Sequence, residues 1–161
     1  MNSHLKKEEI KLLEIGTGMG CLPELGFKEI PKEIKYYGYD VYPDYPNVEK
    51  IDNYIFSEEQ VEYLKDEDID LVYSCNVFQH IDKTHQYNYI LQLARILRKG
   101  KIATIMFAVN GETSMYGQKI YLPSEAELLK WIEPYFSIVQ TFRNNISEKS
   151  IDTRSLMLER K

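Results

Sequence analysis

KLLEIGTGMG, residues 11–20, sets a short apolar run directly before three alternating glycines. Leu12, Leu13 and Ile15 read as the end of a buried strand. Gly16, Gly18 and Gly20 then predict a turn that needs positive φ or a bare backbone, which glycine supplies most cheaply. Such a turn lets a ligand approach the main chain, and a helix after it would aim its N-terminus at that ligand. Glu14 is out of place in this setting. A strand buried on both faces normally carries aliphatic residues, and a carboxylate there is expensive unless it meets a cation or a donor. A ligand bearing an amino group would meet that need.

Composition bounds what surrounds this turn. The chain has 161 residues, which fits one domain over 1–161 with residues 1–10 as a short polar extension. Hydrophobic residues make up 43%, enough for a core. A net charge of −5 and a pI near 5.3 count against general binding to a nucleic-acid backbone. No apolar run approaches the roughly 20 residues of a membrane span, and MNSHLKKEEIK lacks the apolar segment of a secretory signal. Cys21 and Cys75 have neither metal-like spacing nor a disulfide framework. A cytoplasmic protein without metal is expected.

Along the chain, residues 11–15 predict strand one and 21–34 a helix interrupted by Pro23, Gly26 and Pro31. Residues 35–40, KYYGYD, predict strand two, ending in Asp40. An acid there can accept hydrogen bonds from two ribose hydroxyls; the plain alternative is a strand-end turn aspartate. Residues 41–47 form a loop, 48–51 a short third strand, and 57–68 a helix capped by Ser57. Residues 69–75 predict strand four. The next helix is capped by Asp82 or Thr84, carries Ile90, Leu93, Ala94 and Leu97 at helical spacing, and stops at Gly100. The basic cluster Arg95, Arg98, Lys99 and Lys101 then complements the helix dipole rather than nucleic acid. Strand five covers 101–109 and a loop covers 110–122. A helix near Ser124 follows, ended by Pro134, and two last strands cover 136–142 and 154–159.

Glu14-Ile15-Gly16-Thr17-Gly18-Met19-Gly20 resembles the first motif of class I S-adenosylmethionine (SAM) dependent methyltransferases, acid-x-G-x-G-x-G. The nicotinamide fingerprint G-x-G-x-x-G places its third glycine one residue later. Asp70-Leu71-Val72 followed by Val77-Phe78-Gln79-His80-Ile81 resembles the fourth-strand motif of small-molecule methyltransferases. The run LARILRKGKIATIMF resembles the family's approach to strand five, with Lys101 where a second glycine is usual. The resemblance implies a Rossmann-like, doubly wound α/β fold with a mostly parallel seven-stranded sheet, helices on both faces and a C-terminal antiparallel hairpin. Many relatives carry further N-terminal helices over the acceptor pocket, and these are not expected before strand one here.

The resemblance also implies SAM as methyl donor and S-adenosylhomocysteine as product. Glu14 would hold the methionyl amino group, with Gly16, Thr17, Gly18 and Gly20 approaching through the backbone. Asp40 would hold the ribose, Val41 or Tyr42 would lie against the adenine, and Asp52 or Asn53 would meet its amino group. Cys75 and Asn76 would stand beside the methionyl part. His80 is the candidate base for an oxygen or nitrogen acceptor, a small molecule or glycan-type metabolite; its alternative is a capping or packing histidine. Two rival readings are a non-catalytic SAM-binding module and a nucleotide-binding oxidoreductase domain. The acceptor side needs a roof: the 110–122 loop with Tyr116 and Tyr121, a second subunit, or a bulky acceptor.

Overall fold

Side chains alternate across a strand, and this period sorts the protein's central sheet into two faces. In the computed structural model, which describes residues 9–18, 34–41, 54–55, 64–115, 118–144 and 152–161, β1 is Ile10–Ile15, β2 Ile34–Tyr39, β3 Tyr54–Ile55 and β4 Ile69–Ser74. A 3-10 turn, Phe78–His80, leads to helix α1, Lys83–Ile96. Then come β5 (Leu97–Val109), β6 (Gly111–Met115), β7 (Gln118–Leu122), α2 (Glu125–Ile132), β8 (Phe136–Asn144) and β9 (Asp152–Arg160).

The main sheet runs β3-β2-β1-β4-β5-β9-β8. The first five strands pair in parallel, and β9 lies antiparallel between β5 and β8. Six of these strands have six residues or more. The sheet therefore has six full strands rather than the expected seven, because the third is reduced to the two-residue edge pairing of Tyr54–Ile55 with Gly38 and Tyr39. The order reverses between β1 and β4, and open α/β sheets bind ligands beyond the carboxyl ends of strands at such a point.

One face of the sheet carries Leu13, Ile15, Val72, Ala103, Ile105 and Phe107, which form the core with Tyr89, Ile90 and Leu93 of α1 and Leu128 and Ile132 of α2. Both helices begin on side-chain caps. Asp82 accepts from the N–H groups of Thr84 and His85, and Ser124 and Glu127 form a reciprocal capping box.

Several local expectations change. Helix α1 ends at Ile96, and Gly100, at φ +71°, sits in a bulge where β5 slips against β4 between Ile69 and Leu71. A glycine after a helical stripe reads alike as a helix stop or a strand bulge, and sheet pairing selects the bulge. Of the basic cluster only Arg95 lies in the last turn of α1, as a dipole role requires; Arg98, Lys99 and Lys101 lie on β5. Arg98 pairs with Asp70 at 2.7 Å, Lys11 with Asp68 at 2.6 Å and Arg95 with Asp66 at 2.8 Å, tying the turn before β4 to the amino-end edge of the sheet. Residues 64–68, expected to be helical, form that turn, with Glu67 at φ +52°.

The expected loop over 110–122 is instead an antiparallel hairpin, Gly111–Met115 with Gln118–Leu122. Ile120 and Leu122 bury against Ala108 of β5, which gives this short ladder its apolar anchor, and the hairpin packs beside the Phe78–His80 turn. The helix expected over 21–34 and the strand over 48–51 lie outside the described residues, apart from Ile34, which opens β2. Among the described residues no helix is long and apolar enough to cross a membrane, and no group of three or more side chains could hold a metal ion.

Candidate functional site

The site is built first from backbone. Gly16 and Gly18 take φ +77° and +51°, and this left-handed pair turns the chain sharply off the end of β1. The N–H groups of Gly16 and Thr17 both donate to the Tyr39 carbonyl of β2, at 2.7 and 3.2 Å. One residue on, the Asp40 carboxylate accepts from the Gly18 N–H at 2.9 Å. The turn and the end of strand two are thus one unit. Asp40 is 7% exposed, while the next side chain, Val41, is 58% exposed and offers an apolar surface at the rim.

A second loop closes on the turn from β4. Ile15 pairs with Ser74, so Cys75 and Asn76 emerge next to Gly16. A Cβ built on Gly16 would stand 2.0 Å from Val77 Cγ2, so the bare backbone is what admits the Val77 side chain. Asn76 takes φ +59°, a conformation asparagine tolerates better than most residues, and its Oδ1 accepts from Gln79 Nε2 at 3.4 Å. Cys75 is an exposed free thiol. Phe78 anchors the loop in the core, its ring 4.7 Å from Phe107 and 5.8 Å from Tyr89. The His80 N–H donates to the Val77 carbonyl at 2.8 Å, and its imidazole has no hydrogen-bond partner among the described residues.

The electrostatics centre on Glu14, which is 7% exposed. Burial pushes its carboxyl up to about 7; the Asp40 charge adds to this, and a hydrogen bond from the Tyr36 hydroxyl opposes it. On the other flank Glu14 pairs in register with Tyr73, whose hydroxyl is pushed up to about 12 by burial, by a hydrogen bond with Cys75 and by the Cys75 and Glu14 charges. This pocket holds negative charge at a cost that a cation would relieve. Thr17 Oγ1 is also buried with no hydrogen-bond partner among the described residues. Partial burial lowers the His80 pKa from 6.5, which favours a neutral imidazole at pH 7, the form able to accept a proton.

Gly16, Thr17, Gly18 and Asp40 are brought together by hydrogen bonds at the end of β2, Glu14 precedes them on β1 and feels the Asp40 charge, and Val77 joins Cys75, Asn76 and the His80 turn to Gly16. Gly20, Tyr42, Asp52, Asn53 and Tyr116 lie outside the described residues. Tyr121, expected on a loop, is on β7 and 57% exposed. Three participants are not assigned a role by the sequence. Tyr36 meets Glu14 through a parallel register that sequence alone does not reveal, and Val77 meets Gly16 across 61 residues. Gln86 leaves a signal: a polar residue four before Ile90 on an otherwise apolar helix stripe.

The sequence matches the family described as "Methyltransferase domain" over residues 2–153. No curated protein matches it. Among solved structures, the chain is similar to a Burkholderia thailandensis 1,6-didemethyltoxoflavin-N1-methyltransferase with 1,6-didemethyltoxoflavin and S-adenosylhomocysteine bound. The TM-score is 0.72 and the identity 13%, covering 96% of this chain and 72% of that one. A SAM-dependent methyltransferase from Archaeoglobus fulgidus gives a TM-score of 0.71 at 16% identity, over 96% of this chain and 87% of the other. Geranyl diphosphate C-methyltransferase from Streptomyces coelicolor gives 0.71 at 10% identity, over 98% and 76%. At these identities the likeness is one of fold.

Proposed function

The chain belongs to the methyltransferase-domain family, and on that premise we propose that it moves a methyl group from SAM to an oxygen or nitrogen of a small polar acceptor. The observation that carries this reading is the buried, charge-averse Glu14 beside a glycine turn tied to Asp40. An ammonium group fits that carboxylate, a ribose diol fits Asp40, and an adenine ring fits the exposed face of Val41. The buried Thr17 Oγ1 lacks a partner that a ligand in the turn would supply.

When bound, SAM supplies a methyl group on a positively charged sulfur, with a neutral leaving group. The chain's contribution is then chiefly positioning. Glu14 and Asp40 fix the two ends of the donor, while Cys75 and Asn76 stand beside its methionyl part. His80 is the group proposed to take a proton from the acceptor, at whichever imidazole nitrogen is unprotonated. The β6–β7 hairpin, packed beside the His80 turn, is the proposed roof over the acceptor and excludes water from it. With the roof supplied within the chain, no second subunit is invoked.

Two measurements test the proposal. S-adenosylhomocysteine should raise the melting temperature, because a ligand of the native state stabilises it by mass action, and NAD should not. Incubation of the protein with methyl-labelled SAM and a small-molecule extract should yield a labelled metabolite. A melting shift with NAD but none with S-adenosylhomocysteine refutes the reading.

A further inference from the structure

Helix α1 carries one polar side chain that the core does not explain. Gln86 is fully buried, at a position where an aliphatic residue would continue the stripe of Ile90 and Leu93. Burying an amide is costly unless its hydrogen bonds are made. Its Nε2 group makes two: it donates to the Phe78 carbonyl at 2.7 Å and to the Ile81 carbonyl at 2.8 Å. These carbonyls bracket the turn that carries Gln79 and His80. The geometry also fixes the amide's orientation, since only the NH₂ end can face two carbonyls. Gln86 Oε1 is buried with no partner among the described residues, so the amide is kept although only half of it is satisfied.

The neighbouring helix turn does a matching job on the other loop. Tyr89, three residues on, donates its hydroxyl to the Tyr39 hydroxyl at 2.7 Å, and the Tyr39 carbonyl receives Gly16 and Thr17. Two successive contacts on one helix face thus hold the Phe78–Ile81 turn and the end of β2 to which the glycine turn is bonded.

We propose that Gln86 is a positioning residue: by holding the Phe78 and Ile81 carbonyls it sets the 75–81 loop against the glycine turn, and so sets the fit of the methionyl end of the cofactor. This rests on the reading of Cys75 and Asn76 as neighbours of that end. Gln86 itself touches neither donor nor acceptor. Gln86→Met keeps the approximate length and volume and removes both donors.

The test is calorimetric titration of wild type and variant with two probes, S-adenosylhomocysteine and 5′-methylthioadenosine, which lacks the amino-acid end. Gln86→Met is expected to weaken S-adenosylhomocysteine by about tenfold, as loss of a positioned hydrogen-bonding group would, and to leave 5′-methylthioadenosine within about twofold. A general loosening of the fold would weaken both alike, and equal losses, or none, overturn the proposal. Gln86→Glu, with the same shape and fewer donors, is measured alongside and decides the matter if Gln86→Met shows no cooperative melt. If neither variant melts cooperatively, Gln86 serves the fold alone and the proposal fails. A wild-type protein that binds neither probe overturns the cofactor reading and this inference with it.

Discussion

Cofactor binding should be coupled to a proton at Glu14. Its carboxyl is raised from 4.5 to about 7 by burial, so the ligand-free folded state binds this proton more tightly than the unfolded chain does. Ligand-free stability should therefore fall as pH rises from the unfolded value through the folded one, by about 3 kcal/mol for this group alone. Binding runs the other way. A ligand ammonium needs the carboxylate, so affinity for S-adenosylhomocysteine should rise by about tenfold per unit between pH 5 and 6.5 and level off above about 7.5.

Calorimetry at matched ionic strength, in two buffers of different ionisation enthalpy, reads both the affinity and the protons released. Release should be about 0.9 per site at pH 6 and about 0.5 at pH 7, as a single group titrating near 7 requires. Glu14→Gln should bind more weakly above pH 7, by about 1.5–3 kcal/mol for a lost charged hydrogen bond, and release no proton there. Tyr36→Phe should move the midpoint upward, since the Tyr36 hydrogen bond is what lowers the Glu14 pKa. The lowered His80 also titrates in acid, and the Glu14→Gln variant separates the two. Wild-type affinity that is flat from pH 5.5 to 7.5, or a slope that survives in Glu14→Gln, would refute the reasoning.

Three further outcomes are expected. Gly16→Ala should abolish S-adenosylhomocysteine binding, because its Cβ would meet Val77 at 2.0 Å. Gly18→Ala, with open space around its Cβ, should cost only the left-handed backbone term of about 1–2 kcal/mol; thermal melts and titration compare the pair. Asp40→Asn should weaken the same ligand by about 1–3 kcal/mol, with little loss for ligands that lack a ribose. Arg98→Ala, at the opposite edge of the sheet, should lower the melting temperature through loss of a partly exposed ion pair, about 0.5–1 kcal/mol, and leave ligand affinity unchanged.

What could be read in advance was whatever a residue declares by itself or with its immediate neighbours. Gly16 and Gly18 do take positive φ, and the Asp82 and Ser124 caps form, because each is a local backbone requirement met within about three residues. The parallel sheet and its antiparallel end were implied by the resemblance of the glycine and fourth-strand motifs to the family, not by the periods of single elements. What could not be read depends on partners far along the chain. The Tyr36 bond to Glu14 requires the β1–β2 register, and the fit of Val77 over Gly16 requires the β4 loop to return to the first turn. Gly100 carries one local signal compatible with two structures, and the 111–122 hairpin became visible only once Ala108 provided an apolar surface for Ile120 and Leu122.

The residues that break their own local pattern mark the site more sharply than those that obey it. Glu14 interrupts an aliphatic strand, and Gln86 interrupts an apolar helix stripe. Each stands near the carboxyl edge where the strand order reverses, and each keeps a buried polar group that an apolar residue would spare the core. A core selected for stability alone would replace both. On the proposed reading the site is specified from two elements: β1, which carries Glu14 just before the glycine turn, and α1, whose Gln86 holds the Phe78 and Ile81 carbonyls of the loop that covers that turn. The glycine motif alone would have described only one of them.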